Sequence, residues 1–227
     1  MIKQNKNETS RKIRPSRGKN LRGKVPSQKM GYAIYHESSI ERDVIHLLEF
    51  SDQVKEYYYQ PFPVIPYQFN NRDRRYHPDF KVVFKNGNIG FIEAKPFSEL
   101  SKPEITAKIY GLKDFCDKNH YVCRIITDKD IRIGSVIDNI VFLKGYRNKS
   151  NQTDQFTPQI LEIFKTRDQI KLCDILTLFN NEEANVKYCL YYLLYHKALS
   201  MDMRKYISMD STIYAYKKEF NNGCYKF

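Results

Sequence analysis

Residues 76–96 read YHPDFKVVFKNGNIGFIEAKP, and this stretch decides the fold. Aromatic and β-branched residues on both sides of Asn86-Gly87-Asn88 predict a hairpin, with one strand at Phe80–Phe84 and the other at Ile89–Ala94. Side chains two residues apart on a strand share a face. Glu93 and Lys95 are therefore expected to point to the same side.

The length of the hairpin loop determines whether Asp79 joins them. A two-residue turn at Asn86-Gly87 would pair Asp79 with Ala94 and put the aspartate on the opposite face. A three-residue loop at Asn86–Asn88 would pair Asp79 with Lys95 and bring all three charged side chains to one face. A shared role therefore predicts the longer loop or a compensating bulge.

Asp79, Glu93 and Lys95 together suit the cleavage of a phosphodiester. Two carboxylates can hold Mg²⁺ against a phosphate, and an ammonium group can position the attacking water. Glu-x-Lys pairs also occur on exposed strands, where they add solubility. The flanking Phe91-Ile92 and Ala94 instead indicate an internal strand, where charged side chains are unexpected.

A fourth acid, Glu41, comes from a predicted helix that starts at the N-cap Ser38 and continues to Leu48. At about 100° per residue, Glu41 falls at the edge of the apolar face, so we expect it to point inward. The spacing from Ser38 to Glu41 also fits a capping box. Beside a metal motif we favour metal ligation over capping.

Positive charge is concentrated at one end of the chain. The net charge is +12, and residues 1–30 hold ten Lys and Arg with one acid. Such a segment cannot bury a core, so we expect a flexible basic arm that binds DNA phosphates, with a merely solubilising tail as the alternative. The candidate DNA-binding residues are Arg11, Lys12, Arg14, Arg17, Lys19, Arg22 and Lys24 in the arm, with Arg74 and Arg75 before the hairpin.

Composition excludes several classes of protein. No apolar run approaches the length of a membrane span, and no hydrophobic stretch follows the N-terminal charges, so neither a membrane protein nor a secretory signal is expected. The five cysteines form no C-x-x-C pair and no zinc spacing with the histidines. We expect a cytoplasmic protein with reduced thiols.

The elements around the hairpin predict an α/β core covered on both faces. Val54–Tyr59 alternates as a strand and is broken off by prolines at 61, 63 and 66. Pro103–Asn119 has the spacing of a helix, and Tyr121–Thr127 reads as another strand. These elements predict a domain over residues 31–148.

The remaining residues, 149–227, predict a second domain after a polar linker at 146–154. Three helices are expected at Pro158–Lys165, Asp168–Phe179 and Glu182–Leu199. A short hairpin of Met203–Ser208 and Thr212–Lys217 follows them. Three helices and a two-stranded ribbon in this order are typical of a winged helix, which can bind DNA or protein.

These motifs resemble the TnsA endonuclease family, subunits of heteromeric cut-and-paste transposases. The resemblance covers about residues 35–145 and runs in one order through Ser38-Ser39-Ile40-Glu41, Val54 to Gln60-Pro61, Tyr76-His77-Pro78-Asp79-Phe80, Phe91-Ile92-Glu93-Ala94-Lys95-Pro96 and Ile125-Ile126-Thr127-Asp128-Lys129. It implies a restriction-endonuclease-like core, in which a mixed sheet is flanked by helices. It also implies a winged-helix-like C-terminal domain over residues 155–227.

The resemblance further implies a bacterial, nucleoid-associated protein, an active site and a set of partners. The family's helix glutamate, hairpin aspartate and Gln/Glu-x-Lys strand match Glu41, Asp79, Glu93 and Lys95. The implied ion is Mg²⁺, replaceable by Mn²⁺, bound by the three acids and the Ala94 carbonyl. The implied activity is nicking of the 5′ strands at transposon ends, while a TnsB-like DDE transposase cuts the 3′ strands and a TnsC-like AAA+ ATPase regulates the complex.

Two further residues, Gln60 and His77, are expected to contact the metal ligands without binding the metal themselves. Gln60 follows the resemblance, and His77 lies two residues before Asp79. Two other functions remain open from the residues. One is a stand-alone restriction or junction-resolving nuclease, and the other is a non-catalytic DNA-bridging adaptor.

Overall fold

The computed structural model describes residues 21–216, and its contacts divide them into two units, with the boundary between Ile131 and Arg132. The elements of the first unit are β1 (Gly23–Pro26), β2 (Ala33–His36), α1 (Ser39–Phe50), β3 (Val54–Tyr59), β4 (Ile65–Phe69), β5 (Arg72–Tyr76), β6 (Phe80–Phe84), β7 (Ile89–Ala94), α2 (Pro103–Lys118), β8 (Val122–Ile126) and α3 (Asp128–Ile131).

The centre of the first unit is a four-stranded sheet in the order β3-β6-β7-β8. The first two pairings are antiparallel, and β7 pairs with β8 in parallel. Strand β7 therefore has a neighbour on each edge, and its residues from Gly90 to Ala94 are buried, as expected for an internal strand. Helix α1 packs against β3 and β7, and α2 packs against β7 and β8. A mixed sheet flanked by helices fits the restriction-endonuclease-like fold that the resemblance implied.

The loop of the β6–β7 hairpin has three residues, Lys85 to Gly87. The Phe84 N–H donates to the Asn88 carbonyl at 2.9 Å, and Gly87 has a φ of 88°, a conformation that favours glycine. The prediction of a three-residue loop is confirmed, but its position is wrong by one residue. Phe80 consequently pairs with Ile92, and continuing this register places Asp79 level with Glu93 rather than with Lys95. The shift in partner is two residues, so the side chains still share a face.

A second hairpin, β4–β5, was not predicted. Its two-residue turn, Asn70-Asn71, has φ values of 51° and 56°, the left-handed conformation that asparagine tolerates in hairpin turns. The prolines at 61, 63 and 66 argued against a strand here, because proline cannot donate a backbone hydrogen bond. Pro66 is tolerated in β4 because β4 pairs with β5 alone in a two-stranded sheet. The hairpin packs on α2, where a Cβ on Gly111 would lie 2.6 Å from the Pro66 carbonyl oxygen.

The expectation of a flexible arm is wrong for residues 21–30. Strand β1 pairs antiparallel with β2, and Val25 is buried. The chain beyond β1 is also attached to α1, because the buried Glu49 carboxylate accepts hydrogen bonds of 2.7 Å from Ser27 Oγ and from the Gln28 N–H. These contacts are distant in sequence, so composition alone could not reveal them. Residues 1–20 of the predicted arm, with Arg11, Lys12, Arg14, Arg17 and Lys19, lie outside the described residues.

The second unit contains α4 (Val136–Leu143), α5 (Asn151–Thr166), β9 (Gln169–Lys171), α6 (Leu172–Thr177), α7 (Glu183–Tyr195), β10 (Leu199–Ser200) and β11 (Thr212–Ala215). Its strands form an antiparallel sheet in the order β10-β11-β9. The expected linker is partly wrong, because α5 begins inside it with a capping box between Ser150 and Thr153. The contact division also lies before the expected boundary at 148/149, since α4 packs with α7 in this unit.

The expected strand at Met203–Ser208 is wrong, since this segment is a loop and the strand before it is β10. The buried Asn139 side chain explains the loop, because its Nδ2 donates to the carbonyls of Met203 at 2.9 Å and Lys205 at 2.7 Å. Asp168–Phe179 likewise begins with β9 before it becomes α6. Within residues 21–216, the helices are all too short or too polar to cross a membrane.

Candidate active site

Asp79, Glu93 and Lys95 meet at the end of the β6–β7 hairpin. The Lys95 ammonium lies 2.7 Å from Glu93 Oε1 and 3.1 Å from Asp79 Oδ2, so one cation bridges two carboxylates. The Ala94 backbone N–H donates to Asp79 Oδ2 at 2.8 Å, and the Ala94 carbonyl lies 3.2 Å from the same ammonium. Both acids are buried. The structure therefore brings together the three hairpin residues singled out in the sequence.

Glu41 reaches the same place from the first turn of α1. Its side chain is buried, and Oε2 accepts hydrogen bonds from the Glu37 N–H at 2.6 Å and from the Tyr59 hydroxyl at 3.0 Å. The Glu41 N–H donates to Ser38 Oγ at 3.1 Å, which is one half of a capping box. The carboxylate bonds to Glu37 and Tyr59, so capping of Ser38 does not account for its position.

The acids in this cluster are held in an unfavourable environment for their charge. Burial raises the pKa of Glu93 to about 8, and the negative charge of Asp79 adds to the rise while Lys95 opposes it. Burial also raises the pKa of Glu41 to about 7, again with a contribution from Asp79. For Lys95, burial lowers the pKa, but Asp79 and Glu93 outweigh it and the pKa lies above its usual value. Three buried acids share one ammonium group, so a further cation or proton would stabilise the cluster.

The donor atoms of this cluster fit a hard divalent cation. Among the described residues, Glu93 Oε2 is buried and has no hydrogen-bond partner. A buried carboxylate oxygen without a partner is unfavourable, and carboxylate and carbonyl oxygens are the ligands that Mg²⁺ prefers. In residues 21–216 no three His, Cys, Asp or Glu side chains are already arranged to hold a metal ion. The Lys95 ammonium occupies the space between Asp79 and Glu93 instead.

Gln60 and Tyr59 support the cluster from the end of β3. The Gln60 backbone N–H donates to the Asp79 carbonyl at 2.8 Å, and its side-chain Nε2 donates to the Tyr59 hydroxyl at 3.1 Å. Tyr59 in turn donates to Glu41. A series of hydrogen bonds through Tyr59 and Gln60 therefore connects Glu41 with Asp79. Sequence reasoning found Gln60 but missed Tyr59, because the alternation of β3 does not show which tyrosine faces an acid.

His77 contacts the chain that follows β3. Its Nδ1 is 3.5 Å from the Pro61 carbonyl oxygen, and its ring meets the Phe62 ring edge-on at 5.8 Å between centroids.

The candidate DNA-binding residues that the structure describes have partners within the protein, except for Arg75 on β5, for which the structure records only an exposed position. Arg22 lies 3.7 Å from Glu37, and the Lys24 ammonium sits 4.5 Å from the centre of the Tyr35 ring. Arg74 lies 3.3 Å from Glu104. Their role in binding DNA stays a prediction.

In a comparison with known families, residues 51–128 match the family described as TnsA-like endonuclease N terminal. This segment runs from the end of α1 to the start of α3 and includes Asp79, Glu93 and Lys95, while Glu41 lies before it. The family resemblance found in the sequence is confirmed. A search of curated proteins finds no match to the chain.

Proposed function

We propose, on the premise that residues 51–128 form a TnsA-like endonuclease domain of a nuclease related to transposition, that this chain is a metal-dependent DNA endonuclease. It cleaves the 5′ strands at transposon ends during cut-and-paste transposition. A TnsB-like DDE transposase and a TnsC-like AAA+ regulator are its partners. The observation that carries the proposal is the convergence of Asp79, Glu93 and Lys95 with Glu41 from a separate helix.

The proposed cofactor is Mg²⁺, for which Mn²⁺ would substitute. Asp79, Glu93 and the Ala94 carbonyl would hold it, and Glu41 would hold the same ion or a second one. When bound, the ion polarises the phosphate and stabilises the leaving 3′ oxygen. The orphan oxygen of Glu93 and the shortage of positive charge in the cluster support this assignment.

Lys95 would position the attacking water. Its ammonium is within hydrogen-bond distance of two carboxylates and the Ala94 carbonyl, so its location is fixed on three sides. The neighbouring acids keep the group charged, which suits orienting a water molecule and stabilising negative charge on the phosphate. Tyr59 and Gln60 would keep Glu41 and Asp79 in place.

The second unit would form a winged-helix-like domain that contacts DNA or a protein partner. The order α5, β9, α6, α7, β10, β11, with β11 between the other two strands, supports this assignment. Helix α7 is largely buried on its apolar side, and its exposed residues are Glu183 and Ala184. The acidic first turn of α7 would repel DNA phosphates. This favours contact with a protein partner over insertion of α7 into a DNA groove.

A strand-cleavage assay on transposon-end DNA tests the function. With Mg²⁺ and the partner transposase, the parent chain should nick the 5′ strands, and EDTA or Lys95→Ala should stop the reaction. Cleavage of unrelated DNA without partners would instead indicate a stand-alone nuclease. Failure to cleave under any condition, with DNA binding intact, would indicate a bridging adaptor.

A further inference from the structure

Two exposed phenylalanines lie close to the candidate active site. In the described part of the first unit, the exposed large apolar side chains are Phe62, Phe97, Leu21 and Tyr110, and Phe62 and Phe97 are 54% and 48% exposed. Tyr110 carries a hydroxyl group that water can solvate, but a phenyl ring has no polar group. A single exposed phenyl ring is common on a protein surface, but a ring beside a site for DNA offers a face on which a base can stack.

Phe62 is connected to Asp79 through its neighbours. It lies two residues after Gln60, whose N–H donates to the Asp79 carbonyl at 2.8 Å. Its ring packs edge-on against His77, which lies two residues before Asp79, with 5.8 Å between ring centroids. The ring is therefore held at the Asp79 side of the site while half of its surface faces solvent.

Phe97 is connected to Lys95 in the same way. It lies two residues after Lys95, and its N–H donates to Asp128 Oδ1 at 2.7 Å. The Lys129 ammonium lies 3.5 Å from the centre of the Phe97 ring, so a cation covers part of the ring. This position combines an exposed aromatic ring with a positive charge, which matches a nucleobase next to a phosphate.

The chain segments that hold the two rings follow opposite edges of the sheet. Phe62 follows β3, and the residue that holds Phe97, Asp128, follows β8. Strands β3 and β8 are the outer strands of the sheet, about 14 Å apart at the usual strand spacing. Glu93 lies on β7 and Asp79 directly precedes β6, and β6 and β7 are the two strands between them.

We infer that the site cleaves DNA whose bases beside the scissile phosphate are unstacked, with Phe62 and Phe97 receiving those bases. This inference rests on the proposed nuclease function. Stacked duplex DNA has a rise of about 3.4 Å per base pair, which leaves no gap for a phenyl ring, so contact with a base face requires an opened step. Aromatic side chains bind unstacked bases without regard to sequence.

The test measures binding without cleavage. The full chain, with Ca²⁺ in place of Mg²⁺, is titrated with a mixed-sequence duplex that carries 2-aminopurine in a central bulge, and with the same duplex fully paired. The parent should bind the bulged duplex about tenfold more tightly and quench the fluorescence of the bulged base. The double variant Phe62→Ala/Phe97→Ala should bind both duplexes equally, whereas Tyr110→Ala, a matched exposed aromatic, should keep the preference.

Asp79→Asn separates this inference from the nuclease function. The variant should keep the tenfold preference although its cleavage is strongly reduced. If the parent prefers the bulged duplex but shows no Mg²⁺-dependent cleavage, the proposed nuclease function would be overturned, while the contacts of the two rings with bases would be supported. Equal binding of both duplexes by the parent, or an unchanged preference in the double variant, would overturn the inference. A double variant that keeps the DNA preference and loses only transposase-dependent cleavage would assign the rings to a protein contact and also overturn it.

Discussion

The backbone N–H of Ala94 donates a hydrogen bond of 2.8 Å to the carboxylate of Asp79 across the β6–β7 hairpin. This bond holds the aspartate beside the Glu-x-Lys strand before any cation binds. An asparagine could accept the same bond through its amide oxygen but would lack the negative charge.

Asp79→Asn should therefore reduce strand cleavage by about 100-fold or more with little loss of stability, because ion binding supplies several kcal/mol to the reaction. Nicking rates and thermal unfolding of the parent and the variant would be compared. Asp79→Ala should lose cleavage as well, and it should also unfold at a lower temperature since the Ala94 N–H loses its partner. Full activity in Asp79→Asn would remove Asp79 from the catalytic group.

Glu93→Gln should change how the stability of the metal-free protein depends on pH. The ordinary pKa of glutamate is 4.5, and burial raises the values of Glu93 to about 8 and of Glu41 to about 7. A raised pKa means that the folded state binds the proton more tightly, so stability is full below pH 4.5 and falls as the pH rises toward 8. The parent should lose on the order of a few kcal/mol across this window, and Glu93→Gln should lose less.

Urea unfolding at several pH values with EDTA would measure this effect. Added Mg²⁺ should stabilise the parent most above pH 8, where the pH exceeds the pKa values of both acids, and should stabilise Glu93→Gln much less. A parent whose stability is flat between pH 5 and 8 would contradict the electrostatic account of the site.

Tyr59→Phe should weaken the response to Mg²⁺ because it removes the hydroxyl that donates to Glu41 and accepts from Gln60. Groups that orient metal ligands typically contribute about 10- to 100-fold in affinity, so the Mg²⁺ concentration for half-maximal cleavage should rise by about tenfold. Higher Mg²⁺ should restore the rate.

Tyr58→Phe is the matched control on the same strand. Its hydroxyl donates to Glu56 at 2.7 Å, and Glu56 is not one of the acids of the candidate site. The Mg²⁺ dependence of this variant should equal that of the parent. Equal responses in both variants would show that Tyr59 has only a structural role.

Deletion of residues 1–20 should weaken DNA binding and its dependence on salt. These residues contain seven Lys and Arg with one acid. Each phosphate contact that is lost changes the slope of log K against log salt by about 0.9. Binding to a labelled duplex would be measured at several salt concentrations. An unchanged slope would support a solubilising tail over a DNA-binding arm.

Local patterns were sufficient to predict the hairpin and its charged face. The apolar residues on both sides of Asn86-Gly87-Asn88 indicated two strands. The face of Asp79 was predicted correctly although its pairing partner was wrong, because a shift of two residues leaves a strand residue on the same face. Glu41 was found because a helix shows its inward face in the sequence.

Contacts between distant residues were not accessible in this way. The order of residues 21–30 depends on Glu49, which lies beyond β2 in the chain, and the charge of the segment suggested disorder. The β4–β5 hairpin depends on left-handed asparagines in a proline-rich stretch. Tyr59 was missed because its role is defined by one hydroxyl group and the acid it meets in three dimensions.

Helix α1 carries Glu41 in its first turn and Glu49 in its last, and each acid serves a different neighbourhood. The helix therefore fixes both the distance and the relative direction of these two acids. A single residue inserted between them would rotate one acid by about 100° relative to the other. Either the contacts of Glu41 in the candidate site or those of Glu49 with the chain after β1 would then be lost. This stretch should therefore tolerate substitutions far better than any change of length.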